Sequence, residues 1–408
     1  MNPVSPFLFL PALATVLVTT ALFLKFSGRK VPEVTFQPID GLRGYLAFFV
    51  FIHHCAIWYF YLKTTIWAEP DSHLFIQMGQ MSVSFFFMIT GFLFFNKLIN
   101  GKVHPIDWVR LFVSRILRLY PVYMIATASM LIIIGFLTQW HLREPRANVF
   151  FEVLQWGTFT VIGRPDVNQA PYMVNITADV VWSLVYEWVF YLSLPLIGFL
   201  FFRSKVNFFI ILATVSLLIK LLRVTPLPLI HYYSFGCGLI ALLVTKQTKV
   251  RLVLSRKIFT FLAILSVVIT IWIFSSPYQV LPLTLIAFSF IIVAAGNNFF
   301  GLLNHPVSRM MGQISYPLYL LHPLCLFILF KFLLGFHRAA ALNIPAYWML
   351  ISLAAATIIL VCYFIHYRIE LPAMRATTFV TRVIRRLLFL FGLTSKKPPS
   401  SQNIPRSL

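Results

Sequence analysis

The chain has 408 residues, of which 60% are hydrophobic and only 11% charged, with a mean hydropathy of +0.86. Soluble globular domains carry about 25% charged residues, so this composition excludes a chain that is water-soluble throughout, and lipid must be the solvent for much of it. The formal charge is +22, from 33 Lys and Arg against 11 Asp and Glu; the basic residues sit in short segments between apolar runs, so membrane topology accounts for them and no nucleic-acid partner is expected.

Runs of about 20 apolar residues, enough to cross a bilayer as helices, occur near 6–26, 44–62, 77–99, 119–140, 180–202, 206–224, 228–245, 257–275, 279–297, 313–335 and 346–368. The reading is an all-α, polytopic integral membrane helical bundle of about eleven transmembrane helices. Lys25, Arg29 and Lys30 follow the first run rather than precede it, unlike a secretory signal. With the N-terminus outside, 25 of the 33 Lys and Arg fall on the cytoplasmic side and 8 outside, the bias that the positive-inside rule demands. A multi-pass protein of the plasma membrane, bacterial inner membrane in kind, is expected, with a cytoplasmic C-terminus. The long outer segment 141–179 reads as a lid or rim. Residues 374–393 read as a basic amphipathic helix on the cytoplasmic surface, and 395–408 as a disordered tail. Cys55, Cys237, Cys325 and Cys362 lie scattered in apolar segments and read as packing residues, with no disulfide framework and no metal-ligand spacing.

Ionisable groups inside a bilayer cost roughly 2.5–3.5 kcal/mol or more at mid-helix, so each requires a reason. Four places qualify. In IDGLRGYLAFFVFIHH (39–54), Asp40 and Arg43 stand at the mouth of the second span, and His53 and His54 lie deep within it. Eleven helical steps turn about 1100° and rise about 16 Å, so Arg43 and His54 share one face, with His53 about 100° away. A pair of hydrogen-bonded core histidines, or a metal site, is the alternative. In RLFVSRILRLYP (110–121), read as a cytoplasmic loop, Arg115 and Arg118 are three residues apart and make a clamp for phosphate; plain topology is the competing reading. In VWSLVYEWVFYLSLP (181–195), Glu187 is the only acid, one turn from Ser183 and near the outer end of its span. In GQISYPLYLLHPL (312–324), Ser315, Tyr319 and His322 form a polar stripe, and Pro317 and Pro323 are expected to kink the helix.

Taken in order, these blocks resemble the membrane-bound acyltransferase-3 family, whose members place acyl groups on envelope glycans and related acceptors. The resemblance spans roughly 37–375 and rests on IDGLRGYLAFFVFIHH, the Arg115/Arg118 pair with Pro121, WSLVYEWVFY, GQISYPLYLLH, and the closing Glu370 and Pro372. Departures are Ser84 and Thr90 in SFFFMITGF, where the family has an acid and a serine, and Trp188 in place of a second glutamate. Residues 1–36 look like an extra N-terminal helix and linker, 37–375 the acyltransferase domain, and 376–408 the cytoplasmic segment and tail.

The resemblance implies a membrane O-acyltransferase. Acyl-CoA, with acetyl-CoA the default, would dock its phosphates on Arg43, Arg115 and Arg118. His54 would act as general base or transient acyl carrier toward a sugar or glycan hydroxyl on the outer side. Glu187 would orient that imidazole or bind the acceptor. Asp40, His53, Ser183, Tyr319 and His322 would support substrate and site, and no metal is expected. Because no further domain follows the membrane part, acceptor chemistry is expected within it or with a separate accessory protein or second copy. A transporter or flippase of a lipid-linked sugar is the reading from another class.

Overall fold

The structure is a computed structural model and describes residues 2–101, 105–202, 206, 208–224 and 228–390. Among them every regular element is helical, as lipid requires of a chain that must satisfy its own backbone groups. The elements are α1 (Leu10–Ser27), α2 (Gln37–Thr64), α3 (His73–Asn100), α4 (Trp108–Leu137), α5 (Arg146–Trp156), α6 (Met173–Thr177), α7 (Trp182–Phe202), α8 (Phe208–Val224), α9 (Leu229–Thr245), α10 (Thr248–Leu254), α11 (Lys257–Ile273), α12 (Val280–Ala294), α13 (Pro306–Gln313), α14 (Ser315–Phe327), α15 (Phe336–Ala341), α16 (Ile344–Ile365), α17 (Leu371–Arg375) and α18 (Thr377–Leu390). Seven helices among the described residues are long and apolar enough to cross a membrane, or eight if the bent pair α9–α10 counts as one span. Shorter apolar helices occupy Ile210–Ile219, Lys257–Ile273 and Val280–Ala294, so the described residues support seven or eight spans of the eleven expected.

Local chemistry sets the boundaries. Asp107 accepts a hydrogen bond from the Arg110 amide at the start of α4, and Asn343 caps Ala346 at the start of α16. Prolines open α1, α2, α13 and α16, where a missing N–H costs nothing. Pro121 and Pro323 lie inside α4 and α14. Pro317 sits in the first turn of α14, where it is tolerated rather than kinking. A π-helical stretch, Ile328–Leu333, follows α14.

The site is centred on α2, which is buried through most of its length and packs against α3, α13 and α14. Its first turns approach α13 backbone to backbone. A side chain at Gly44 would strike Met311, and one at Gly312 would strike the Asp40 carbonyl, so the glycines of IDGLRG and GQIS allow the contact. The extra helix α1 lies on α16, with Phe23 stacked on Tyr363 at 4.1 Å and the Tyr363 hydroxyl donating to Thr20 Oγ1 at 3.1 Å.

One expectation changes here. Residues 110–121 are not a loop: Arg115 and Arg118 lie within α4, which continues through Pro121, because the arginines keep helical spacing with the apolar residues around them. The segment 141–179, expected as a lid or rim, contains α5 and α6 and is pinned where Tyr120 donates to Gly157 O at 3.1 Å and Trp156 Nε1 to Pro165 O at 2.9 Å. The amphipathic α18 packs on α4, and Arg385 pairs with Asp107. The tail expected over 395–408 lies outside the described residues.

Candidate active site

Two cavities open toward opposite ends of α2. Toward its C-terminal end lies a space of about 420 Å³ lined by His53, His54, Ile57, Trp67, Glu69, Gln80, Asp179, Trp182 and Tyr278, among others. That volume is within the range of small-molecule sites, about 300–1,000 Å³. His53 Nδ1 lies 2.7 Å from the Phe75 carbonyl at the start of α3. The ring occupies the space where a side chain at Gly79 would stand. The second span thus carries His53 against a helix that has a glycine opposite it.

His54 belongs to a different chain of contacts. Its Nδ1 is 3.0 Å from the Val50 carbonyl and 3.0 Å from Nε2 of His322 on α14. His322 Nδ1 in turn faces the Leu318 carbonyl at 2.9 Å. A carbonyl only accepts, so His322 carries its proton on Nδ1 and, when neutral, offers a bare Nε2. Both neighbours of His54 Nδ1 are then acceptors, so the neutral His54 ring holds its proton there. In that tautomer Nε2 carries the lone pair, the form required of a base or nucleophile.

Toward the N-terminal end of α2 lies a second cavity, about 110 Å³, lined by Arg43, Arg115, Arg118, Thr90, Glu187, Tyr191 and Ser315 among others. Arg43 is 3.5 Å from Asp40. The Arg115 guanidinium lies 5.2 Å from the centre of the Phe94 ring. Three guanidiniums around one small space suit a polyanion. Glu187 offsets part of their charge, accepting from Tyr191 at 3.2 Å and from Thr90 Oγ1 at 3.4 Å.

Val83 and Tyr319 line both cavities, and both are buried, at 6% and 7% exposure. The Tyr319 hydroxyl donates to the Val180 carbonyl at 2.8 Å and receives the Ser183 hydroxyl at 2.9 Å. The ring is therefore held as a partition between a cationic chamber and a histidine chamber.

Of the residues singled out in the sequence, Arg43, Arg115, Arg118, Glu187, Ser183, Ser315 and Tyr319 come together at the arginine cavity, and His53, His54 and Tyr319 at the histidine cavity. Glu187 does not orient His54. It sits one and a half turns into α7, on the face toward the arginines, and its hydrogen bonds go to Thr90 and Tyr191. The partner of His54 is His322. His53 does not hydrogen-bond to His54; the rings stand edge to face, centres 4.9 Å apart. Asp40 reaches the site only through Arg43. Sequence reading missed the rim residues Trp67, Glu69, Gln80 and Tyr278. Glu69, one of so few acids, was the available signal. Among the described residues, no group of three His, Cys, Asp or Glu side chains is arranged to hold a metal ion.

Residues 36–367 match the family model described as an acyltransferase domain, acyltransferase 3. Neither the curated proteins nor the solved structures compared with the chain give a match.

Proposed function

The chain belongs to the acyltransferase-3 family, a transferase family whose reaction needs an acyl donor and an acceptor, and from that premise we propose that it carries an acyl group from cytoplasmic acyl-CoA to a sugar hydroxyl on the outer side of the membrane. Acetyl is the proposed acyl group. The observation that carries this reading is the meeting of the arginine and histidine cavities at Val83 and Tyr319. A donor held by its phosphates on Arg43, Arg115 and Arg118 would be separated from His54 by the wall that Val83 and Tyr319 form.

In the proposed reaction, His54 Nε2 takes the proton of the acceptor hydroxyl as its oxygen attacks the thioester carbonyl carbon. The tetrahedral intermediate collapses with loss of the thiolate, which takes the proton back from the imidazolium, giving ester and free thiol. His322 holds His54 in the tautomer with Nε2 bare. Glu187 acts with the arginines, offsetting their charge before the donor arrives. The partition favours a second form, in which His54 Nε2 attacks the thioester carbon and expels the thiolate, which takes up the Nδ1 proton and leaves as thiol. The acceptor hydroxyl then attacks the acyl-imidazole and its proton returns to the ring, giving ester and neutral His54.

The test is transfer from labelled acetyl-CoA to a glycan by the purified chain in lipid nanodiscs, with His54→Ala alongside. Retained transfer in that variant would overturn the central role of His54. Acid quenching without acceptor separates the two forms, since only the second leaves label on the protein. Thioester turnover also separates transfer from carriage of a lipid-linked sugar.

A further inference from the structure

The rim of the histidine cavity carries a charge pattern opposite to that of the arginine cavity. Among the described residues no Lys or Arg lines it. Its two carboxylates are Glu69 and Asp179, and Asp179 is paired with Arg164. Glu69 has no cationic partner among the described residues. It is nevertheless held in place: Gln80 Nε2 donates to Glu69 Oε1 at 2.6 Å, and Ser276 Oγ donates to Gln80 Oε1 at 2.6 Å. Three separate segments thus fix one exposed carboxylate at the mouth of the cavity, and its Oε2 forms no hydrogen bond within the described protein. Beside it stand two aromatic walls. Trp67 is braced edge-on by Trp58 at 5.4 Å and Tyr61 at 5.6 Å, and Tyr278 by His231 at 4.6 Å.

We infer that this rim is the acceptor subsite, and that Glu69 makes it select a neutral or cationic pyranose over an anionic one. The inference rests on the proposed acyl transfer at His54. An ionised carboxylate only accepts hydrogen bonds, so its complement is a pair of hydroxyls or an ammonium, while a phosphate or uronate on the acceptor meets repulsion. A sugar ring offers both features needed: hydroxyls around its edge for Glu69 and an apolar C–H face for Trp67 and Tyr278. Held there, its hydroxyl points inward to the cavity that contains His54.

Binding decides this independently of turnover. Methyl glucoside, glucosamine and glucuronate are titrated against the full chain in nanodiscs by tryptophan fluorescence, with Trp67→Phe as the control for the reporting ring. The two uncharged or cationic sugars are expected to bind at least about tenfold tighter than glucuronate, and Glu69→Gln is expected to erase most of that ratio. Glu69→Asp should keep the preference while weakening binding. In turnover, Glu69→Gln should raise the acceptor KM and leave the donor KM in place. Equal binding of glucuronate and glucoside, or an unchanged ratio in Glu69→Gln, overturns the subsite. A wild-type chain that binds the sugars with this preference but transfers nothing refutes the acyl-transfer reading alone.

Discussion

His322 Nε2 lies 3.0 Å from His54 Nδ1, beside the Val50 carbonyl at the same distance, so two acceptors meet at one nitrogen of the proposed base. Removing His54 should lower transfer by about 10²–10⁴-fold, the range of a positioned general base. His322→Ala should cost about tenfold to a hundredfold through the lost hydrogen bond and the loosened ring. His322→Gln, which can still present an acceptor to His54 Nδ1, should recover part of kcat without changing either KM. If His322→Ala and His322→Gln behave alike, the tautomer role is wrong.

The arginine cavity makes a prediction about the donor alone. Arg115→Ala or Arg118→Ala should raise the KM for acetyl-CoA by about 10- to 100-fold, matching roughly 1.5–3 kcal/mol for a hydrogen bond to a charged group. Lysine at either position should retain only part of the affinity, because the forked geometry is lost. Donor titrations at fixed acceptor check this; an unchanged donor KM returns both arginines to a topological role.

At the partition, Val83→Phe should thicken the wall between the chambers. Donor binding should persist while kcat falls on the order of 10²-fold, the cost of displacing a reacting group by an ångström or so. Val83→Ala should transfer the acetyl group at close to the normal rate. Isothermal binding of acetyl-CoA to both variants, with turnover measured in parallel, separates blockage from misfolding.

Gly312 faces the Asp40 carbonyl with no room for a side chain. Gly312→Ala should therefore destabilise the protein by about 1–3 kcal/mol, as overpacking does, seen as a lower Tm in detergent. Because Asp40 and Arg43 sit on the displaced turn, donor affinity should fall with it. A variant with unchanged Tm would mean that α2 and α13 separate at no cost.

Composition and apolar run length were enough to read a helical membrane bundle, because a chain in lipid must close its own backbone hydrogen bonds and cannot hide polar residues. For the same reason His53, His54, the Arg115/Arg118 pair and Glu187 stood out, and their order along the chain pointed to the family. Helical period also places Arg43 and His54 toward one side of α2, where the two cavities meet. What periodicity does not carry is the rotation and depth of one helix against another, and that is what tertiary packing decided. It put His322, 268 residues away in sequence, against His54. It turned Glu187 toward the arginines and extended α4 through a segment read as loop. It also gathered Glu69, Gln80 and Ser276 from three separate segments into one rim. Each of these partnerships depends on side chains from different helices meeting at one depth, a distance that no single stretch of sequence contains.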